Sequence, residues 1–181
     1  MLLESDAAIV DRDPALPGLA TLLDPVAFGD VLHRAVPGLE LGPAKVVYVK
    51  PATNYRLTVN GESLDIFAKT YPQASAAGEI AKARARPGVA GPLGAGRLAL
   101  DEIATVVSVY PNDDKVKALP LLADDQTRAQ VLRELFPQQP TLWQGTLYPL
   151  KHKPERRAVL RLDCGGKPEA VLKLYTARGY E

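Results

Sequence analysis

The stretch that decides the fold is YRLTVNGESLDIFAKTY, residues 55–71. Apolar and polar side chains alternate over residues 55–59, which is typical of a strand with one buried face. Asn60–Gly61 follows, and both of its positions tolerate the positive φ of a two-residue hairpin turn. Leu64, Ile66 and Ala68 then occupy alternate positions of the return strand, which leads into Lys69. The stretch therefore predicts an antiparallel hairpin whose return strand ends in a lysine.

Outward from this hairpin, the sequence predicts an α+β protein. The run VVYV at residues 46–49 adds a strand before the hairpin, because β-branched and aromatic residues favour strands. A second strand-rich region ends in AVLKLY, residues 170–175. Local composition and capping residues predict helices at residues 24–36, 73–86 and 124–136. One further buried strand is predicted at residues 103–110.

The fold class that we predict is α+β, with two tandem antiparallel β-meander units and with helices between and before them. Four segments are expected. They are a helical leader at 1–38, a first unit at 39–122, a helix and linker at 123–140, and a second, truncated unit at 141–181.

The two strand-rich regions follow the same order of residues. The first reads Lys50-Pro51, an Arg-bearing strand, a Gly turn and a strand ending in Lys69; the second begins at Lys153-Pro154 and ends in Lys173. The lysine-to-lysine spacing is 19 residues (69 − 50) in the first and 20 residues (173 − 153) in the second. This order favours an internal duplication over the chance similarity of two meanders.

Composition bounds the class of protein and its compartment. The chain has 22 Lys and Arg residues and 21 Asp and Glu residues. Its formal net charge of +1 gives no overall attraction to nucleic acid or to an anionic membrane. Cys164 is the single cysteine and has no partner for an internal disulfide, which favours a reducing compartment. The acidic residues of 1–13 are not typical of a signal peptide, and no apolar stretch is long enough to span a bilayer. We therefore expect a cytoplasmic protein with no nucleic-acid or membrane partner.

The lysine at the end of a small apolar strand resembles the Val-Ala-Ile-Lys strand of protein kinases and their small-molecule phosphotransferase relatives. The surrounding motifs narrow the resemblance to the N-terminal half of a bacterial aminoglycoside-phosphotransferase-like family, over roughly residues 40–181. These motifs are YVKP at 48–51, AKTY at 68–71, YPNDD at 110–114 and LKHKPERR at 150–157.

The resemblance implies a nucleotide-facing role with ATP and Mg²⁺ as cofactors of the complete enzyme. Lys173 would contact ATP phosphates, and Arg157 belongs to a basic cluster that can bind phosphate groups. In the first copy, Lys69 is followed by a helix that offers Glu79 as the glutamate partner of the family's lysine. The acceptor is a small molecule that would be bound through a C-terminal lobe.

The sequence also departs from the family. No Gly-x-Gly-x-x-Gly loop occurs, and residues 51–54 and 154–157 occupy its place in the two copies. The family's catalytic loop begins His-x-Asp, but His33 precedes Arg-Ala and His152 precedes Lys-Pro. We therefore expect no catalytic residue and no activity from this chain alone, which would need a C-terminal catalytic lobe.

Structural interpretations stand beside the functional ones. Lys173 can equally be an edge-strand lysine that blocks aggregation. Lys69 is better explained as a structural residue, and Glu79 as a solvated helix residue. Asp113 is explained by an Asn-Asp-Asp turn without a metal. The alternative function is a non-catalytic binding or protein-interaction module, with a possible homodimer through the uncovered second sheet.

Overall fold

The structure is a computed structural model that describes residues 2–38, 40–42, 45–49, 53–59 and 62–177. It divides into two compact units, Met1–Tyr110 and Pro111–Glu181. Each unit contains helices and an antiparallel three-stranded meander, so the predicted α+β fold is confirmed. The bounds predicted for the four segments stay predictions. Among the described helices, none has both the length and the apolar character that crossing a bilayer requires.

The first unit is built on a five-stranded sheet in the order β1-β2-β3-β5-β4. Its elements are α1 (Glu4–Arg12), α2 (Leu19–Leu23), α3 (Pro25–Ala35), β1 (Lys45–Val49), β2 (Thr53–Val59), β3 (Glu62–Thr70), α4 (Gln73–Ala85), β4 (Arg97–Leu100) and β5 (Thr105–Val109). The strands β2 and β3 pair antiparallel with Val59 opposite Glu62, as the predicted hairpin requires. The turn at Asn60–Gly61 itself lies outside the described residues.

Helices cover both faces of this first sheet. Leu22, Phe28 and Leu32 from α2 and α3 pack on one face against residues such as Ala68 and Val107. On the other face, α4 buries three small or branched residues against β5 and its neighbours: Ala76, Ile80 and Ala83. The predicted helix at 73–86 and strand at 103–110 therefore form, and they are the pieces that close this layer.

Asp24 begins α3 in the way that its position before Pro25 predicts. Its Oδ1 accepts hydrogen bonds from the backbone N–H groups of Val26 (3.1 Å) and Ala27 (3.3 Å). We expect Asp24→Ala to lower the free energy of unfolding of the first unit by about 1 kcal/mol, because these N–H groups lose their acceptor. Urea unfolding followed by circular dichroism measures the loss. Asp24→Asn keeps a capping oxygen and should change stability by only a few tenths of a kcal/mol; an equal loss in both variants would contradict the cap.

The second unit is built on a three-stranded sheet in the order β6-β7-β8. Its elements are α5 (Ala118–Leu121), α6 (Asp125–Leu135), a 3₁₀-helix (Pro140–Leu142), β6 (Thr146–Lys153), β7 (Arg157–Cys164) and β8 (Lys167–Tyr175). Asp124 caps α6 by accepting from the N–H of Thr127 at 2.9 Å, as predicted.

Only one face of the second sheet is buried. Ala158, Leu160 and Leu162 of β7 are buried together with Leu172 of β8. The residues between them in β7 are partly exposed, and Lys173 in β8 is exposed. This sheet therefore has an inner apolar face and an open face, whereas the first sheet has two covered faces.

A β-bulge in β6 decides which side chains reach the open face. Pro149 pairs with Leu160 and Lys151 pairs with Val159, so Leu150 is an extra residue in the strand. Side chains of a regular strand alternate between faces, and one inserted residue reverses the alternation beyond it. As a result, Tyr148 and Lys151 lie on the same face although they are three residues apart.

Candidate functional site

Beyond the pair of Thr146 and Asp163, which adds one acidic residue beside Arg161, the open face of the second sheet consists of three cross-strand rows. Each row takes one residue from β6, one from β7 and one from β8. The rows are Tyr148–Arg161–Val171, Lys151–Val159–Lys173 and Lys153–Arg157–Tyr175. We call these nine residues the cationic face, because five of them are Lys or Arg and none is acidic.

Four of the five cations have no anionic partner within the part of the chain that the structure describes. These are Lys151, Lys153, Arg157 and Lys173. The guanidinium Nε of Arg157 is also buried without a hydrogen-bond acceptor among the described residues. A buried N–H without an acceptor costs free energy, and like charges opposite each other in a sheet, such as Lys153 and Arg157, repel. This arrangement is suited to an anionic ligand, which would satisfy the donor and neutralise the repulsion.

Arg161, the fifth cation, differs from the other four because its charge is already paired. It donates to both carboxylate oxygens of Asp163, at 2.7 and 2.9 Å, and its guanidinium lies 5.1 Å from the ring centroid of Tyr148. The hydrogen bond to Asp163 is the main reason that the pKa of Arg161 is raised above its ordinary value. The charge available to a ligand is therefore concentrated in the other two rows.

Lys173 and Arg157 lie close together on the open face of the second sheet, in the neighbouring strands β8 and β7. Lys173 lies opposite Val159, two positions along β7 from Arg157, so the two side chains are diagonal neighbours. β8 is an edge strand of the sheet. Both interpretations of Lys173, as a phosphate ligand and as an edge lysine, are compatible with this position.

Lys69 and Glu79 lie in the first unit, where the sheet face is already covered. Lys69 pairs with Val106, which packs under α4, and its Nζ lies 5.5 Å from the ring centroid of Tyr71. Glu79 of α4 forms an ion pair with Lys82, with 2.6 Å between Oε1 and Nζ. The helix that carries Glu79 therefore does pack on the face that carries Lys69.

A buried carboxylate, which the sequence patterns did not single out as a site, lies behind the cationic face. The Asp113 side chain is fully buried and accepts four hydrogen bonds. Oδ1 accepts from the N–H groups of Lys115 and Val116, both at 2.9 Å. Oδ2 accepts from the Nε2 of His152 at 2.9 Å and from the N–H of Glu155 at 2.8 Å. Asp113 thus joins its own turn to the turn between β6 and β7.

These bonds determine the ionisation of Asp113. Burial raises the pKa of its carboxyl, but the hydrogen bonds from His152, Val116, Glu155 and Lys115 together outweigh burial, and the pKa ends below its ordinary value of 3.8. The group is therefore an anion near neutral pH. With two donors on each oxygen, it is a structural acceptor and poorly placed to bind Mg²⁺.

Neither a metal-binding cluster nor a reactive thiol is found among the described residues. Among the described residues, no cluster of three His, Cys, Asp or Glu is arranged to hold a metal ion. Burial, followed by the nearby charges of Glu169 and Asp163, raises the pKa of the Cys164 thiol, which disfavours the reactive thiolate.

Comparisons with known proteins identify no relative. No protein-family model, no curated protein and no solved structure matches the chain.

Proposed function

We propose that the chain is the nucleotide-facing N-terminal part of a small-molecule phosphotransferase of the aminoglycoside kinase-like type. Lys173 and Arg157 contact phosphate groups of ATP on the cationic face. The observation that carries this proposal is the set of four cations on one open sheet face that have no anionic partner among the described residues. One of them, Arg157, has a buried Nε that finds no acceptor among those residues. On an ordinary solvated surface, water would satisfy the guanidinium N–H groups of an arginine, so a buried Nε without an acceptor favours a binding site.

The aromatic and apolar residues of the same face are suited to contact the base of a nucleotide. Tyr148, Val171 and Tyr175 are 46%, 55% and 39% exposed, and Val159 lies between the cation-bearing positions. Apolar and aromatic side chains beside fixed cations are the usual composition of a site for a base with attached phosphates. The first unit, in which Lys69 lies on the sheet face that α4 covers and Glu79 belongs to α4 itself, acts as a cap or scaffold.

Catalysis in this proposal belongs to a C-terminal lobe. Phosphoryl transfer of this type needs an Asp to orient the acceptor hydroxyl and further Asp and Asn groups for Mg²⁺. The 181 residues contain no His-x-Asp sequence to begin such a loop. We therefore expect no ATP turnover by the chain alone, and turnover that Lys173→Ala abolishes would overturn this part of the proposal.

A titration of the chain with sodium triphosphate and with ATP tests the phosphate role. We expect Lys173→Ala and Arg157→Ala each to weaken binding about five- to tenfold, because each removes one charge-assisted contact in a partly exposed site. The affinity should also fall as salt rises. Calorimetry, or backbone amide shifts of β7 and β8, measures the effect.

Lys167→Ala is the matched control, because it removes an exposed lysine from the turn end of the same strand. It should leave the affinity within twofold of the unsubstituted chain. The proposal is contradicted if millimolar triphosphate causes no shifts in β7 and β8, or if all three variants lose affinity equally. Absence of phosphate binding together with dimerisation in light scattering would instead favour the interaction module, with a homodimer through the open sheet.

A further inference from the structure

The turn between β6 and β7 is flanked by two of the four cations that have no anionic partner in the described part of the chain. β6 ends at Lys153 and β7 begins at Arg157, and these two residues face each other across the turn. The N–H of Arg156 closes the turn on the carbonyl oxygen of Lys153 at 3.1 Å. The geometry of this short connection therefore sets the distance between two charged side chains that repel each other.

Glu155 has an unusual backbone conformation within this turn. Its φ is +58°, in the left-handed region that favours glycine. A residue with a Cβ stays there only when surrounding contacts hold it. Two of the contacts that hold it are the hydrogen bond from its N–H to Asp113 Oδ2 and the ion pair between its Oε2 and the Nζ of Lys115 at 3.0 Å.

The same hydrogen bond excludes one mode of ligand binding. Glycine-rich phosphate loops hold their ligand with backbone N–H groups. Here, the N–H of Glu155 is directed to Asp113, and no glycine occurs between Lys153 and Arg157. The turn therefore presents side-chain cations to a ligand, and their positions depend on how firmly the turn is held.

We propose that Asp113 is the positioning residue of the cationic face, and that it fixes the β6–β7 turn so that Lys153 and Arg157 together bind a chain of linked phosphate groups. This proposal rests on the proposed function. Asp113 does not touch the ligand; it acts through His152 and the N–H of Glu155. Holding two like charges close in advance removes from binding the cost of bringing them together.

Neutralising Asp113 gives a test in which simple electrostatics and positioning predict opposite results. Removing a negative charge near cations should strengthen the binding of an anion if only Coulomb attraction matters. If Asp113 positions the turn, Asp113→Asn should weaken sodium triphosphate binding about tenfold. Asp114→Asn neutralises the adjacent, exposed acid, and this control should leave the affinity equal or slightly higher.

A second substitution provides a rescue. Glycine adopts a φ of +58° without help. The double variant Asp113→Asn with Glu155→Gly should therefore recover binding to within about threefold of the unsubstituted chain. Asp113→Asn with Glu155→Gln is the matched control, because it removes the same negative charge without supplying a glycine, and it should not recover binding.

The outcomes separate this inference from the proposed function. If the unsubstituted chain binds no triphosphate, both are overturned. If it binds and a folded Asp113→Asn variant, judged by its amide spectrum, binds equally well, only the positioning role is overturned. Should Asp113→Asn fail to fold, hydrogen exchange of the Glu155 amide in the unsubstituted chain decides the matter: slow exchange supports the clamp, and exchange at the rate of an open turn overturns it.

Discussion

Replacing Asp113 with alanine should lower the free energy of unfolding of the second unit by about 3–5 kcal/mol, the range for removing one partner of a buried charged network. Four donors would lose their acceptor at once, namely the N–H groups of Lys115, Val116 and Glu155 and the Nε2 of His152. Each buried polar group that is left unsatisfied costs about 1–3 kcal/mol. The fluorescence of Trp143, the single tryptophan, measures unfolding of this unit in urea.

The neighbouring Asp114 supplies the control for this substitution. Asp114 is exposed. Asp114→Ala should change the free energy of unfolding by less than about 1 kcal/mol, as for most surface substitutions. A similar loss in both variants would mean that the negative charge of the turn, and not the buried hydrogen-bond network, stabilises this unit.

Asp113 also gives the second unit a definite acid dependence. The folded pKa of Asp113 lies below its ordinary value of 3.8, so the unfolded chain takes up this proton at a higher pH than the folded chain. The stabilisation is complete above about pH 5 and is lost as the pH falls through the folded pKa. Between about pH 5 and pH 3, the urea midpoint of Trp143 should fall more steeply in the unsubstituted chain than in Asp113→Asn.

Gly18→Ala should lower the free energy of unfolding of the first unit by about 3 kcal/mol. A methyl group at this position would overlap the carbonyl oxygen of Ile103, and it would lie 2.7 Å and 2.8 Å from the hydroxyl oxygens of Thr105 and Thr70. Because Ile103 contributes a backbone atom, relief requires the chain to move, and overpacking of this kind costs about 1–3 kcal/mol or more. Thermal unfolding followed by circular dichroism reports the loss.

Gly29→Ala is the same chemical change, but we expect it to raise the free energy of unfolding of the first unit. Gly29 lies inside α3, and nothing lies within 4 Å of the place where its Cβ would be. Alanine is favoured over glycine in a helix by about 0.5–1 kcal/mol, so this variant should be more stable than the unsubstituted chain. If both variants were equally destabilised, the crowding at Gly18 would not be the cause.

The features that could be predicted from the sequence are those set by local chemistry. Asp24 and Asp124 begin helices because their side chains accept from nearby backbone N–H groups. The meanders follow from alternation, which requires only neighbouring residues to be known. The strand β4 and the short helix α5 were not predicted. β4 is four residues long, and it is a strand because β5 pairs with it.

The candidate site could be predicted only in part, because its residues meet through non-local pairing. Lys173 and Arg157 were both predicted as phosphate ligands, but only the register of β7 and β8 makes them diagonal neighbours. The acceptor role of Asp113 depends on His152 and Glu155, which are 39 and 42 residues away along the chain. The Asn-Asp-Asp turn gave a sufficient local explanation of Asp113, so nothing in the sequence pointed to its distant donors.

The extra residue in β6 has a consequence for how this sheet tolerates change. Leu150 is the residue that places Lys151 and Lys153 on the same face as Tyr148. Deleting one residue from this strand would exchange the inside and outside of its second half, turning two lysines inward and the imidazole of His152 outward. The composition of β6 would hardly differ, yet both the charge of the face and the buried network would be lost. In this strand, the number of residues matters more than the identity of any single one, so insertions and deletions should be far more harmful than most substitutions.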